Sequence, residues 1–318
     1  HIMETSKYIE KVEAHLKKDA APSNIKKLEQ ILKDANAFLE QQEDLLSINE
    51  YNYIKSTISK KSVPTVQALI KDHKKEDENG DYPSRLVVPA KNLTAGFPHV
   101  GQHGLRNILD KNMVDYERKT IKQASDLKQD LEKLNIKRSN STIVTVDLEA
   151  MYPSIQFIHV RKAVEYFLRD APQEDKIKAD RCLEMIKFGM ANTIVTFAGK
   201  YYEYGGMDVE TKGLTIGGYE SAFLADLVAA YILENLEDMF QSNDMTAPTY
   251  AKIYRDDGIK VDMGKKTTDE IVDWLEEFQQ RSDELCGSNS LVFTMEIWNP
   301  ESPPDEVPRN KKVTICKE

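Results

Sequence analysis

Several features that define common protein classes are scarce in this 318-residue chain. Its three cysteines, Cys182, Cys286 and Cys316, are odd in number, far apart and without CxxC spacing. That pattern argues against a disulfide framework or a structural zinc site and favours a reducing interior. No apolar run approaches the roughly 18 residues that span a membrane, and no signal peptide is visible. We therefore expect an intracellular protein without a membrane partner, in the nucleus or the cytoplasm.

A basic excess is missing as well. The chain has 43 lysines and arginines against 53 acidic residues, a net charge of −10, whereas proteins that bind nucleic acid usually carry a basic excess. Six lysines nevertheless lie close enough in sequence to form a local basic surface. They are Lys55, Lys60, Lys61, Lys71, Lys74 and Lys75. With 40% hydrophobic residues, the chain is typical of a globular protein of two small domains, or of one core with a lobe.

The hydrophobic pattern predicts helices and strands in mixed order. Helical spacing predicts two or three helices in 4–60 and further helices in 104–134, 221–239 and 269–285. Strand-like runs lie at 85–90, 142–146, 291–297 and 312–316, with a hairpin at 192–204 that turns at Ala198–Gly199. We predict loops at 71–84 and at TAGFPHVGQHG (94–104), and the stretch 171–180 separates the strand at 142–146 from later elements. Because no βαβ regularity is present, these elements indicate an α+β fold with an antiparallel sheet.

The stretch AKIYRDDGIKV at 251–261 has two interpretations. Asp-Gly between alternating apolar residues is a strong hairpin signal, so Asp256–Asp257–Gly258 is predicted to form a turn. A second carboxylate gives the turn a chemical role, because Asp147 ends the strand TIVTV. Converging carboxylates hold Mg²⁺, and paired ions stabilise the attacking and leaving oxygens of a phosphoryl displacement. The alternative for Asp147 is a helix cap after a strand.

The stretch KGLTIGGYESAFLADLVAAYIL is rich in small residues before a long apolar helix. Gly213, Gly217 and Gly218 make its start flexible, and Ser221 is placed to cap the helix. One interpretation is a plain helix start. The other is that small residues let a nucleic acid backbone or base pair approach closely.

Taken together in chain order, these stretches resemble the motifs A, B and C of the reverse transcriptase palm. The matching positions are Asp147-x4-Tyr152-Pro153-Ser154-Ile155, Gly213-x3-Gly217-x3-Ser221 and Tyr254-x-Asp256-Asp257. ALIKDHK with PSRLVVPA resembles the fingers segment of Penelope-like and related retroelement reverse transcriptases. FAGKYYEYGG and LVFTMEI also resemble runs of those elements. The resemblance covers about residues 65–316.

The resemblance implies a right-hand polymerase with fingers and palm, in which helices back an antiparallel palm sheet. The fingers region with its N-terminal helices would cover 4–140 and the palm 141–318. Within the palm, motif A would lie at about 142–155, the hairpin at 192–204, motif B at 213–232, motif C at 251–261 and the closing strands at 291–316. The chain after Asp257 suffices for a helix and a strand pair but not for a helical thumb. The thumb is therefore expected to be absent or minimal, or to come from a missing segment or partner subunit.

The resemblance also implies a role for each matching residue. Asp147, Asp256 and Asp257 would be the catalytic carboxylates, and two Mg²⁺ or Mn²⁺ ions would be held by Asp147, Asp256 and the main-chain carbonyl of Leu148. The nucleotide would contact Lys71, Arg85, Leu148, Tyr152 and Gly217. Tyr152 corresponds to the ring that collides with a ribose 2′-hydroxyl, which favours deoxynucleotides. The template–primer would contact Gly213, Ser221 and Tyr254.

Some positions depart from the family pattern. Tyr219 stands where many relatives have proline, and Arg255 is an unusual cation beside the aspartates. His73, His99 and His103 have no ligand-like spacing, and because GQHG is a poor helix we expect them to lie in loops.

The function predicted on this basis is metal-dependent, template-directed DNA synthesis from a primer 3′-hydroxyl, with an RNA or DNA template–primer and dNTPs as partners. Two alternatives stay open. One is a catalytically inactive palm that serves as a scaffold for nucleic acid or protein, and the other is a polymerase that synthesises RNA.

Overall fold

The structure is a computed structural model, and the residues below are those that it describes. They are 4–71, 82–116, 118, 120–121, 123–134, 141–204, 209–240, 249–254, 257–262, 267–287, 291–298 and 313–314. Arg255, Asp256 and His73 therefore lie outside the described residues. None of the helices in these ranges is both long and apolar enough to cross a membrane.

Helices and strands alternate irregularly along the described residues. The helices are α1 (Thr5–Asp19), α2 (Ile25–Gln41), α3 (Ile48–Lys60), α4 (Gly96–Lys111), α5 (Ala124–Lys133), α6 (Met151–Ser154), α7 (Phe157–Phe167), α8 (Gln173–Ala191), α9 (Ser221–Asn235) and α10 (Thr268–Cys286). The strands are β1 (Ala21–Ser23), β2 (Gln67–Ile70), β3 (Ser84–Val87), β4 (Thr142–Leu148), β5 (Ile194–Phe197), β6 (Lys200–Glu203), β7 (Thr249–Tyr254), β8 (Asp257–Asp262), β9 (Phe293–Trp298) and β10 (Val313–Thr314).

The chain divides into two compact units, neither of which is continuous in sequence. The first unit comprises 1–114, 156–161 and 168–223, and the second comprises 115–155, 162–167 and 224–318.

Helices α4 and α8 pack closely in the first unit, and glycines make this possible. A Cβ added to Gly101 would lie 2.7 Å from the carbonyl oxygen of Cys182, and one added to Gly189 would lie 2.4 Å from the Cδ of Pro98. Beside this contact, the ring of Phe38 stacks on Phe188 at 4.3 Å between centroids. The prediction of a loop at 94–104 is therefore wrong. Its glycines lie in a helix that needs them for close packing, and tertiary contacts outweigh their low helix propensity.

Two small antiparallel sheets complete the first unit. Strands β1, β6 and β5 form one in that order, and β2 pairs with β3 in the other. A buried apolar cluster that includes Val12, Leu86, Val88 and Val195 joins helix α1 to both sheets. The predicted hairpin at 192–204 is confirmed as β5–β6, and Ala198 and Gly199 have the positive φ angles of its turn, +48° and +75°.

The second unit is built on a five-stranded antiparallel sheet with the order β10-β9-β4-β8-β7. Helix α10 packs on it: the rings of Phe278 and Phe293 lie 5.0 Å apart, and the Gln279 side chain both donates to Leu291 O and accepts from Phe293 N. The prediction of an antiparallel sheet with a helix packed on it is confirmed. So is the pairing of the strands predicted at 291–297 and 312–316.

Two further predicted elements differ from the structure. The helix expected over 104–134 is broken, because α4 ends at Lys111 and Met113 has a left-handed φ of +56°, a conformation that terminates helices. The stretch 171–180, expected to separate the strand at 142–146 from later elements, is mostly the start of α8, where Pro172 precedes two acidic residues of the first turn. That order of residues marks a helix N-terminus.

Candidate functional site

Strand β4 carries Asp147 to an exposed position near its end in the five-stranded sheet. Its apolar and β-branched residues favour a strand, and Val144 and Leu148 are buried on one face. Asp147 lies on the opposite face and is exposed. The hydroxyl of Thr294, on the neighbouring strand β9, donates to the main-chain oxygen of Asp147 at 3.4 Å. This hydrogen bond helps to fix the strand backbone that carries the Asp147 carboxylate.

A second carboxylate lies directly across from Asp147. In the antiparallel pairing of β4 with β8, Asp147 is opposite Asp257, and Asp257 is exposed as well. Directly paired residues share a face, with Cβ atoms about 4.5–5.5 Å apart, and like charges in this position are destabilising. Such a pair costs free energy in the folded protein unless a cation lies beside it.

The hairpin predicted around the aspartates is present, with a shifted turn. Strands β7 and β8 pair up to Tyr254 and Asp257, so Asp257 and Gly258 already belong to β8. The prediction that these two residues form the turn is therefore wrong. Asp256 falls between the strands, outside the described residues. The pairing of Tyr254 with Asp257 places the predicted template–primer residue on the strand next to Asp257 and two strands from Asp147.

The chain turns sharply between β4 and the short helix α6, which carries Tyr152. Ala150 has a left-handed φ of +48°, which is uncommon for a residue other than glycine. The Ser154 hydroxyl donates to the carbonyl of Glu149 at 3.0 Å and closes the turn. Tyr152 is half-buried on α6. Asp147, Leu148 and Tyr152 are thereby held on one rigid strand–turn–helix segment.

The first unit brings the two predicted fingers cations together. In the β2–β3 hairpin Leu69 is opposite Arg85, and both are exposed. Lys71 N donates to Pro83 O at 2.8 Å, which continues the pairing by one step. Since residues two apart share a face of a strand, Lys71 lies on the same side as Arg85. The opposite face packs on the cluster around Val12.

The glycine-rich segment lies against the end of this hairpin. Val88 N donates to Ile216 O at 2.9 Å, and Gly217 has a φ of +106°. A Cβ at Gly217 would be 2.4 Å from the carbonyl oxygen of Val88, so only glycine fits. Gly213 forms an antiparallel bridge with Gln156. Ser221 is buried and is the first residue of α9, and not its cap as predicted.

Beside Gly217 the first unit has a pocket with a buried carboxyl group. Its wall combines residues after β3, residues of α4 and α8, and the segment before α9: Val88, Pro89, Ala90, Asn92, Ala95, Pro98, Gly189, Met190, Thr193, Thr215, Gly218, Tyr219 and Glu220. Glu220 is 4% exposed, and burial raises the pKa of its carboxyl above the usual range. The sequence did not indicate that the Glu220 carboxyl group is buried, because a glutamate before a helix is ordinarily solvated.

The donor set at Asp147 fits a hard divalent cation, since only oxygen ligands are on offer. In the described part of the chain no group of three or more His, Cys, Asp and Glu residues is arranged to hold a metal. The third carboxylate that was predicted, Asp256, lies outside that part. The exposed pair of Asp147 and Asp257, facing each other on one sheet face, is the feature that favours a cation there.

The predicted site residues fall into two groups. The second unit contains Asp147, Leu148, Tyr152, Tyr254 and Asp257, and the first contains Lys71, Arg85, Gly213, Gly217 and Ser221. Within each group the structure brings together residues that are distant in sequence.

Solved structures of telomerases resemble this chain in fold at low sequence identity. Apo telomerase from Candida tropicalis, truncated from its C-terminal domain, matches with a TM-score of 0.52 and 11% identity over 80% of this chain and 55% of that one. Telomerase from Candida albicans in complex with a TWJ fragment of telomeric RNA matches with a TM-score of 0.51 and 11% identity, over 89% and 45%. The chain thus spans about half the length of these proteins. No protein-family profile and no curated protein sequence matches it.

At such identities the likeness shows the fold alone. The chain has a mixed helix and strand fold with antiparallel sheets, like that of the telomerases, which are enzymes of the reverse transcriptase family. The sequence resemblance to that family is in this respect confirmed.

Proposed function

We propose that the chain is a metal-dependent nucleotidyltransferase of the reverse transcriptase type, which extends a primer 3′-hydroxyl with deoxynucleotides. The observation that carries the proposal is the exposed cross-strand pair of Asp147 and Asp257, in a chain with a telomerase-like fold. Directly opposed carboxylates on one face of a sheet repel each other, and a divalent cation beside them offsets that repulsion. They become useful when a divalent cation lies between them and a phosphate.

Asp147, Asp256 and the main-chain carbonyl of Leu148 would hold two Mg²⁺ or Mn²⁺ ions, with Asp257 beside them. When bound, such ions neutralise charge on the transferring phosphoryl group and lower the pKa of the attacking hydroxyl.

The remaining residues of the site would bind and orient the substrates. Arg85 would bind the triphosphate through its planar guanidinium, and Lys71 would act on it as a point charge. The ring of Tyr152 would exclude a ribose 2′-hydroxyl, which favours deoxynucleotides. Gly217, together with Gly213, Ser221 and Tyr254, would shape the surface under the template–primer.

The template is proposed to be RNA or DNA. Telomerases of Candida tropicalis and Candida albicans were solved in complex with a fragment of telomeric RNA, which supports an RNA strand as partner. Within the family, the runs FAGKYYEYGG and LVFTMEI favour a Penelope-like retroelement enzyme. A thumb in a further segment or a partner subunit would hold the duplex.

Primer extension tests this proposal. The wild type, Asp147→Asn and Asp273→Asn are compared on a primer annealed to RNA, with dNTPs and either Mg²⁺ or Mn²⁺. Asp273 is an exposed aspartate on α10, so its variant controls for the loss of one charge. We expect extension by the wild type and Asp273→Asn and a loss of at least about 100-fold in Asp147→Asn, because metal binding supplies several kcal/mol. If the wild type extends no primer on RNA or DNA templates with either ion, the polymerase proposal fails and the inactive scaffold is favoured.

A further inference from the structure

Three rings form a row on the surface of the first unit. Tyr53 of α3, His99 of α4 and Tyr219, which precedes α9, succeed one another with ring centroids 5.3 Å and 5.0 Å apart. Tyr53 is 39% exposed and Tyr219 37%, and His99 is exposed as well. The three residues are far apart in sequence, so the fold assembles the row.

Exposure of these rings is unusual within the molecule. Among the side chains that the structure describes, Tyr53 and Tyr219 are the only exposed tyrosine, phenylalanine or tryptophan residues, and both contact the same histidine. Aromatic side chains bury about 150–250 Å² each when they pack fully into a core, so the exposed part of these two rings forgoes some of that stabilisation. Exposed rings that lie side by side offer a surface on which a flat ligand can stack.

A basic group continues the row along α4. His103 and Arg106 follow His99 by four and seven residues, which places all three on one face of the helix, and all are exposed. The Arg106 guanidinium lies 5.0 Å from the centroid of the ring of Phe223, which follows Tyr219 by four residues. In the described part of the chain, no carboxylate lies within ion-pair distance of Arg106. The ring holds this cation in place without neutralising it.

We propose that this surface (Tyr53, His99, Tyr219, His103 and Arg106, here the aromatic row) binds single-stranded nucleic acid. Unpaired bases would stack on the rings of Tyr53, His99 and Tyr219, and Arg106 would contact the phosphates. Aromatic platforms beside cations bind single strands in this way, because every base has a π face and every nucleotide a phosphate. The aromatic row combines rings with ionisable groups, whereas an apolar protein partner would need a continuous apolar patch.

The inference rests on the proposed function in one respect: the bound strand would be the unpaired part of the template. It also gives a role to Tyr219, which departs from the family's proline. A duplex is a poor ligand for the row, since its bases are already stacked on each other and expose only edges and phosphates.

Fluorescence anisotropy with labelled oligo-U RNA and oligo-dT DNA tests the proposal, with a blunt duplex for comparison and with no nucleotide or divalent ion present. Leucine keeps an apolar side chain but removes the π face, so the variants are Tyr53→Leu and Tyr219→Leu, each paired with its phenylalanine counterpart. Ile177→Ala, which removes an exposed apolar side chain of the same unit, is the matched control. Thermal unfolding of every variant shows that the fold is retained.

We expect the wild type to prefer single strands, each leucine variant to bind about tenfold more weakly, and the phenylalanine and Ile177→Ala variants to bind like the wild type. Arg106→Gln should reduce the dependence of affinity on salt. Equal affinity of the leucine and phenylalanine variants, equal binding of the duplex, or a loss of self-association instead of strand binding would overturn the proposal.

The two proposals can fail separately. Binding that depends on the aromatic row, without primer extension by the wild type, would refute the polymerase and leave the row intact. Extension with an unchanged template KM in Tyr53→Leu and Tyr219→Leu would refute the row and leave the polymerase intact.

Discussion

The contact between Gly217 and Val88 can be tested by adding a single methyl group at residue 217 and measuring the free energy of unfolding. In Gly217→Ala the new Cβ would lie 2.4 Å from the Val88 carbonyl oxygen and 3.2 Å from its carbon. A backbone carbonyl cannot rotate away as a long side chain can, and Val88 is also held by its hydrogen bond to Ile216. The strand end or the glycine segment must therefore move.

The magnitude has two parts. A left-handed φ costs an L-residue about 1–2 kcal/mol, and Gly217 has a φ of +106°. Overpacking of a tight contact costs a further 1–3 kcal/mol, roughly. Gly199 provides the matched control, because it has a φ of +75° but a Cβ added there would have nothing within 4 Å. Gly199→Ala should therefore show only the first part.

Urea unfolding of the two variants and the wild type measures the difference. Both glycines belong to the first compact unit, so one transition reports on both. We expect Gly217→Ala to lose about 1–3 kcal/mol more than Gly199→Ala at an unchanged m-value. If the two alanine variants are equally stable, the close approach of Gly217 to Val88 does not exist, and neither does the junction between the glycine segment and the strand that carries Arg85.

Two further predictions concern charge. Without divalent ions, Asp147→Asn should raise the free energy of unfolding by about 1 kcal/mol, because it removes the repulsion of two charges roughly 4–5 Å apart in water. It should also abolish the stabilisation by Mg²⁺ that is expected for the wild type. No gain over Asp273→Asn, or an equal gain in a background that lacks Asp257, would contradict this. Burial raises the pKa of Cys182 to about 12 and that of Cys286 to about 11, so both thiols should react with a disulfide reagent at pH 8 only after unfolding. The free energy of unfolding should fall as the pH rises above 9.0, the pKa of a free thiol, because the thiols of the unfolded chain then lose their protons while those of the folded protein keep them. Rapid labelling of Cys182 or Cys286 in the folded protein, located by peptide mapping because Cys316 is a third thiol, would refute the burial of these two groups.

Local pattern was sufficient where an element is stabilised by its own residues. Helix α10 was predicted closely because Thr267 and Glu270 form a capping box at its start, and its apolar residues recur at helical spacing. The β5–β6 hairpin was predicted with its turn for the same reason, since Ala198–Gly199 separates two β-branched and aromatic runs.

Local pattern failed where packing or register decides. Helix α4 has a glycine-rich sequence typical of a loop, and its helical form depends on the close approach to α8 at Gly101 and Gly189. The histidines His99 and His103 were for this reason expected in a loop, and the row that His99 forms with Tyr53 and Tyr219 had no sequence signal. The turn predicted at Asp256–Asp257–Gly258 was placed too late in the chain, because the pairing of Tyr254 with Asp257 takes Asp257 and Gly258 into the strand.

The sequence by itself determined the chemical types at the candidate site: a carboxylate at the end of a β-branched strand, a second one beside a predicted hairpin, and cations and glycines in a fixed order along the chain. Those follow from side-chain chemistry and local backbone preference, which act over a few residues. Only the tertiary structure decided that Asp147 faces Asp257 across a strand pair, that Gly217 meets Val88, and that Tyr53, His99 and Tyr219 share one surface. These contacts join residues far apart in the chain, and they are set by sheet register and by how closely helices pack, neither of which a local pattern specifies.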